Sequence, residues 1–101
     1  MPADFDNISA LTEVDVEKLR LAESSYGDSW RLRGGVGAFM MLARKWDRIE
    51  NQVKQEHWDI FNTIRKNSAE TGILDDIRDL RRYLLLVESH YYIEIAKCKE
   101  K

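Results

Sequence analysis

Apolar residues recur along most of this chain in steps of three and four, the spacing of one face of an α-helix. Val16, Leu19, Ala22 and Tyr26 form a first stripe, which Gly27 interrupts. Phe39, Leu42, Trp46, Ile49 and Val53 form a second. Trp58, Phe61 and Ile64 form another, on a third helix or a kinked continuation of the second. The clearest stripe is Ile73, Ile77, Leu80, Leu84, Val87 and Tyr91, whose steps of four and three describe the seam of a helical bundle. No stretch of useful length alternates apolar and polar residues as a strand does, and Pro2 is the single proline. The pattern predicts an all-α fold, a small antiparallel bundle of about four helices.

The punctuation between stripes refines this picture. Thr12 is placed to cap the first helix, with Asp15 in its first turn where negative charge favours the helix dipole. Residues 1–10 then form a flexible N-terminal arm, and 11–101 a single helical domain. Arg33, Gly34 and Gly35 read as loop, and "NSAETG" as a stop with Gly72 as the helix breaker.

The chain has 101 residues, enough for one small domain with one core. It is 44% hydrophobic and 34% charged, which suits amphipathic helices with charged outer faces. A net charge of −2 makes no case for binding DNA or RNA. Cys98 is the only cysteine, which excludes an internal disulfide and makes a reduced, cytoplasmic setting the default. "YLLLV" is far too short to span a bilayer, and "MPADFDNISA" lacks the basic-then-apolar order of a signal peptide. Leu85, Leu86, Tyr92 and Ile93 lie off the main stripe of the last helix, more apolar surface than one seam uses. They predict a homo-oligomer, most simply a two-fold dimer.

Two carboxylate pairs carry the candidate chemistry. Asp47 and Glu50 are three apart and share a helix face, and so do Asp76 and Asp79. If their helices are antiparallel neighbours, the four can converge on Mg²⁺, a hard cation that takes carboxylate, phosphate and water oxygens. The same residues also make sense as surface charge: Asp75 can pair with Arg78 and Asp79 with Arg82. Lys45 and Arg48, again three apart, suit phosphate oxygens, or else pair with Asp47 and Glu50. The glycines Gly34, Gly35 and Gly37 precede a helix start, with Arg33 beside them as a further phosphate ligand, but no Walker-type lysine follows. Tyr26 and Trp30 are placed to stack on a base, whereas Trp46, on the apolar stripe, reads as core. His57 and His90 stand apart, and no Cys/His cluster points to zinc.

"YGDSW", "LARKWDRIE" and "DDIRDLRRYLLL" together resemble a helical family of phages and bacteria. It is the nucleotide-modification-associated domain of the first type, and it looks related to the MazG-like all-α nucleotide pyrophosphatases. The matching positions are Tyr26, Gly27 and Trp30; Lys45 and Arg48; and Asp76, Asp79, Leu80 and Tyr83, within roughly residues 20 to 90. The resemblance implies a MazG-like bundle in a bacterial or phage-infected cell. It implies Mg²⁺ held by Asp47, Glu50, Asp76 and Asp79, phosphates on Lys45 and Arg48, and a base near Tyr26, Trp30 and Tyr83. Two positions depart from the family pattern: Arg44 stands where an acidic residue precedes the lysine, and Gly72 where a glutamate precedes the last helix.

Three functions follow. The first is Mg²⁺-dependent cleavage between the α and β phosphates of a nucleoside triphosphate. The second is non-catalytic binding that sequesters a nucleotide or cyclic-nucleotide signal, motivated by the missing acidic residues. The third is a helical interaction module in which every charge is surface and every aromatic is core.

Overall fold

The computed structural model describes residues 2–66 and 72–100. Four α-helices and one short 3₁₀ turn account for the ordered elements, with no strand among the described residues. The helices are α1 (Pro2–Tyr26), α2 (Gly34–Lys54), α3 (Ile60–Lys66) and α4 (Ile73–Glu100). The all-α expectation holds. The chain divides into two compact units, Met1–Leu32 and Arg33–Lys101.

In the first unit α1 starts at Pro2, where a missing N–H is no loss, so residues 2–10 are helix rather than a loose arm. Thr12 is therefore not a cap. Its hydroxyl donates back to the Ile8 carbonyl at 2.8 Å, a bond made from inside a helix. Asp15 is likewise mid-helix and is 1% exposed, not a solvated first-turn charge. Gly27, with φ +59°, ends α1, its N–H reaching the Glu23 carbonyl at 2.8 Å. The 3₁₀ turn Ser29–Arg31 follows.

The second unit is built on α2 against α4. Its core is small: Ile49, Val53 and Ile73 are buried, and Ile77 and Leu80 pack on them half-buried. Lys45 meets Asp79, and Arg48 meets Asp76. The numbers rise on one helix as they fall on the other, so the pair is antiparallel, as the seam predicted.

Gly72 enters α4 instead of ending the preceding helix; residues 67–71 of the expected stop lie outside those described. Its φ of +80° is a left-handed conformation that a Cβ disfavours. Gly37 serves differently: a Cβ there would come within 2.5 Å of the Arg33 Cβ, so the first turn of α2 closes only over a bare backbone.

A tight corner joins α2 to α3. His57 and Trp58 both take positive φ, +57° and +66°, at a cost of roughly 1–2 kcal/mol each for residues with a Cβ. The corner is held by surrounding bonds. The N–H groups of Glu56 and Trp58 both reach the Val53 carbonyl at 2.9 Å. Asp59 caps α3 by accepting from Asn62 N–H at 3.0 Å. The Glu56 carboxylate takes Asn62 Nδ2 at 2.9 Å and Lys66 Nζ at 2.8 Å.

Several expected core residues are exposed: Phe39 (64%), Trp46 (55%), Trp58 (61%), Phe61 (70%) and Leu84 (50%). An apolar stripe is buried only where another element lies over it. Here α2 and α4 cover each other mainly around Ile49, Val53 and Ile73.

Two substitutions should move stability in opposite directions in the same urea titration. Ile73→Ala should lower it by about 2–5 kcal/mol, the cost of emptying a buried branched site. His57→Gly should raise it by about 0.5–1 kcal/mol, because relief of the left-handed strain exceeds the extra chain entropy of glycine.

Candidate functional site

The α2–α4 contact carries four charges beside its apolar core. Lys45 Nζ stands 2.8 Å from Asp79 Oδ2, with side chains 20% and 35% exposed. Arg48 Nε stands 2.8 Å from Asp76 Oδ1, with side chains 55% and 1% exposed. Gln52 Nε2 donates to Asp76 Oδ2 at 2.9 Å and to the Arg48 carbonyl at 3.1 Å. The three α2 residues follow helical spacing, which puts them on one flank of the Ile49–Val53 stripe. Asp76 belongs to the first turn of α4, with its own N–H bonded to the Gly72 carbonyl at 3.2 Å.

The Arg48–Asp76 pair is close but poorly aligned. The Arg48 N–H is not aimed at Oδ1, and that buried oxygen accepts no hydrogen bond. A carboxylate this deep is thus neutralised by charge on one oxygen and hydrogen-bonded on the other, by Gln52.

The four carboxylates proposed for Mg²⁺ do not converge. At about 100° per residue, Asp47 lies about 160° around α2 from Ile49. Glu50 lies about 100° from Ile49, on the side away from Arg48. Both are exposed, while Asp76 and Asp79 face Arg48 and Lys45. Among the described residues no group of three or more His, Cys, Asp or Glu side chains is placed to hold a metal ion. The set of Asp47, Glu50, Asp76 and Asp79 does not fit a four-carboxylate Mg²⁺ site in this arrangement. Spacing grouped each pair correctly but could not tell which face of α2 meets α4. The basic pair Lys45 and Arg48 holds that face.

The remaining candidates are distributed. Arg33 is exposed at the N-cap of α2, about 18 Å along the helix axis from Lys45, too far for both to hold one phosphate. Tyr83 is half-buried on α4, one turn after Asp79 and two after Asp76, on the flank the carboxylates occupy. In the first unit, Tyr26 closes α1, and its side chain lies outside the described residues. Trp30 is half-buried in the 3₁₀ turn, with the Arg31 guanidinium 4.4 Å from its ring centroid. Arg31 in turn reaches Asp28 Oδ1 at 2.8 Å. The cation–π contact occupies one face of the indole. Gln52 is a site residue that the sequence pattern does not reveal; a glutamine one turn beyond an arginine carries no signal until its neighbour across the helix pair is known.

The chain matches no known family model, no curated protein and no solved structure. The site therefore rests on its own chemistry, which can be tested by asymmetry. Arg48→Ala strands the buried Asp76 charge and should cost about 3 kcal/mol in chemical denaturation. The double substitution Arg48→Met with Asp76→Leu removes both charges and should recover most of that loss.

Proposed function

We propose that this chain binds a nucleotide through its phosphates without hydrolysing it, Lys45 and Arg48 being the phosphate ligands. The observation that supports this reading is the pairing of Lys45 and Arg48 with Asp79 and Asp76 on one face of α2, while Asp47 and Glu50 turn away. A pyrophosphohydrolase of the MazG kind needs carboxylates free to hold a metal against the scissile phosphate. Here the α4 carboxylates are already neutralised by side-chain cations. Arg48 is half in solvent and presents the more accessible charge, and its planar fork suits two phosphate oxygens. Tyr83, on the same flank of α4, offers a ring for a base.

Because the cations are paired in the free protein, an incoming phosphate competes with the carboxylates for them. That competition sets this reading apart from Mg²⁺-dependent hydrolysis, in which Asp79 would be a metal ligand instead of the partner of Lys45. Under the binding reading, Asp79→Asn releases Lys45 and should tighten nucleotide binding about two- to fivefold, the worth of a partly exposed ion pair. Lys45→Ala should weaken it. Under the metal reading, Asp79→Asn should abolish binding that depends on Mg²⁺.

The measurement is calorimetric titration with nucleoside mono- and triphosphates and cyclic dinucleotides, each with Mg²⁺ and with chelator, alongside an assay for released pyrophosphate. Binding in chelator with no pyrophosphate release is the expected result. No heat at millimolar ligand for any nucleotide would refute nucleotide binding, and steady pyrophosphate release would refute the non-catalytic reading.

A further inference from the structure

Gln52 is half-buried beside the inner ion pair of the α2–α4 contact, within the unit Arg33–Lys101. Its Nε2 lies 2.9 Å from Asp76 Oδ2 and 3.1 Å from the Arg48 carbonyl. Both neighbours are acceptors, so the amide nitrogen and not its oxygen belongs there, and each of its two protons has a partner. The bond to the Arg48 carbonyl runs back over one turn of α2, which pins the Gln52 side chain to the turn that carries Arg48. The amide oxygen faces the entrance to α4: a Cβ built on Gly72 would stand 3.5 Å from Oε1.

This placement decides how Arg48 is held. An aspartate and an arginine left to themselves favour a bidentate pair, each carboxylate oxygen taking one N–H of the guanidinium edge. Here Gln52 holds Oδ2, while Oδ1 stands 2.8 Å from Arg48 Nε without accepting a hydrogen bond. Asp76 is 1% exposed and hydrogen-bonded through Oδ2, so Gln52 sets the plane of its carboxylate and Arg48 does not. The contact runs through Nε, which leaves the Nη groups of the 55% exposed arginine without a hydrogen bond to Asp76.

We infer that Gln52 is the positioning residue of this site: by holding Asp76 Oδ2 it keeps the aspartate from clamping Arg48 with both oxygens, and so leaves the Nη donors of Arg48 for phosphate oxygens. The part played in recognition rests on the phosphate-binding reading; the control of Arg48 by Gln52 does not. Arg48 touches the ligand, and Gln52 acts only through Asp76.

Gln52→Met keeps the length of the side chain and removes the donor. Nitrogen-15 NMR of the arginine side chains reads the result, with the Arg48 signals assigned by their loss in Arg48→Lys. Bidentate capture slows rotation about the guanidinium C–N bonds and separates the Nη signals, whereas a guanidinium held by charge alone rotates freely. The wild type should show averaged Arg48 Nη signals, and in Gln52→Met they should slow and separate. Loosened helix packing by itself would move them the other way, toward faster rotation. Averaged signals in Gln52→Met overturn the proposal. So do separate signals in the wild type, a result that needs no variant to fold. Inorganic pyrophosphate, titrated in chelator, tests the link to recognition. It should shift the Arg48 signals of the wild type and bind Gln52→Met about two- to tenfold more weakly, the worth of one hydrogen bond taken over by Asp76. Equal affinity in the two proteins overturns the positioning role. No binding of pyrophosphate or of any nucleotide to the wild type refutes the phosphate reading instead, with control of Arg48 by Gln52 still read from the Nη signals.

Discussion

The carboxylate of Asp76, 1% exposed and in contact with Arg48 and Gln52, is the constraint around which the α2–α4 unit is arranged. An apolar seam alone defines register weakly. Sliding α4 by one turn exchanges Ile73 for Ile77 and Ile77 for Leu80 against Ile49 and Val53, apolar for apolar. The same slide separates Asp76 from Arg48, puts Asp79 there instead and leaves Lys45 without a carboxylate, so one of the two ion pairs is lost. Few large side chains hold this core, so a polar contact that discriminates between registers matters more than it would in a larger one. Gly72 belongs to the same device: its left-handed backbone turns the chain into α4 and lets the first turn begin with Asp76 already against α2.

The helices were legible because their signal is local. Period, glycine breaks and the four-three seam from Ile73 to Leu80 are properties of one segment at a time, and the antiparallel α2–α4 pair follows from them. What failed depends on a second segment. Asp47 and Glu50, and Lys45 and Arg48, are both i,i+3 pairs interleaved on one helix, so spacing says that each shares a face but not which face is covered. Ile49 and Val53 decide that, and they bring the cations to the interface. The start of α1 was misplaced for a similar reason. Thr12 and Asp15 have the composition of a helix entrance, yet the hydroxyl of Thr12 is satisfied just as well by the Ile8 carbonyl within a helix that has already begun.

The exposed aromatics mark another boundary of what one chain determines. Trp46, Trp58 and Phe61 lie on helical stripes, but burial requires a partner surface, and α3 has only seven residues to offer. Trp58 is also held at φ +66° in a corner secured by Glu56, Asp59 and Asn62. The backbone strain there is borne by a fixed network, so the indole is presented outward by construction. An apolar stripe in a sequence is a statement about what must be covered, and it leaves open whether the cover comes from the same molecule.

The four-charge cluster joins α2 to α4 without adding net charge. Lys45, Arg48, Asp76 and Asp79 sum to zero charge, which makes the site stable when empty and gives it little long-range pull on an anion. Its two halves differ, however. Asp76 is sealed and tied to the fold, and the half-exposed Arg48 beside it is engaged through charge without an aligned hydrogen bond. Asp79 and Lys45 are both partly open to solvent and can separate at small cost. The cluster therefore presents one cation whose donors are not all committed and one whose partner is easily displaced. The buried carboxylate meanwhile keeps Arg48 in place. In this arrangement the acidic residues position the basic ones: Asp76 holds Arg48 and Asp79 holds Lys45 along one flank of the α2–α4 pair.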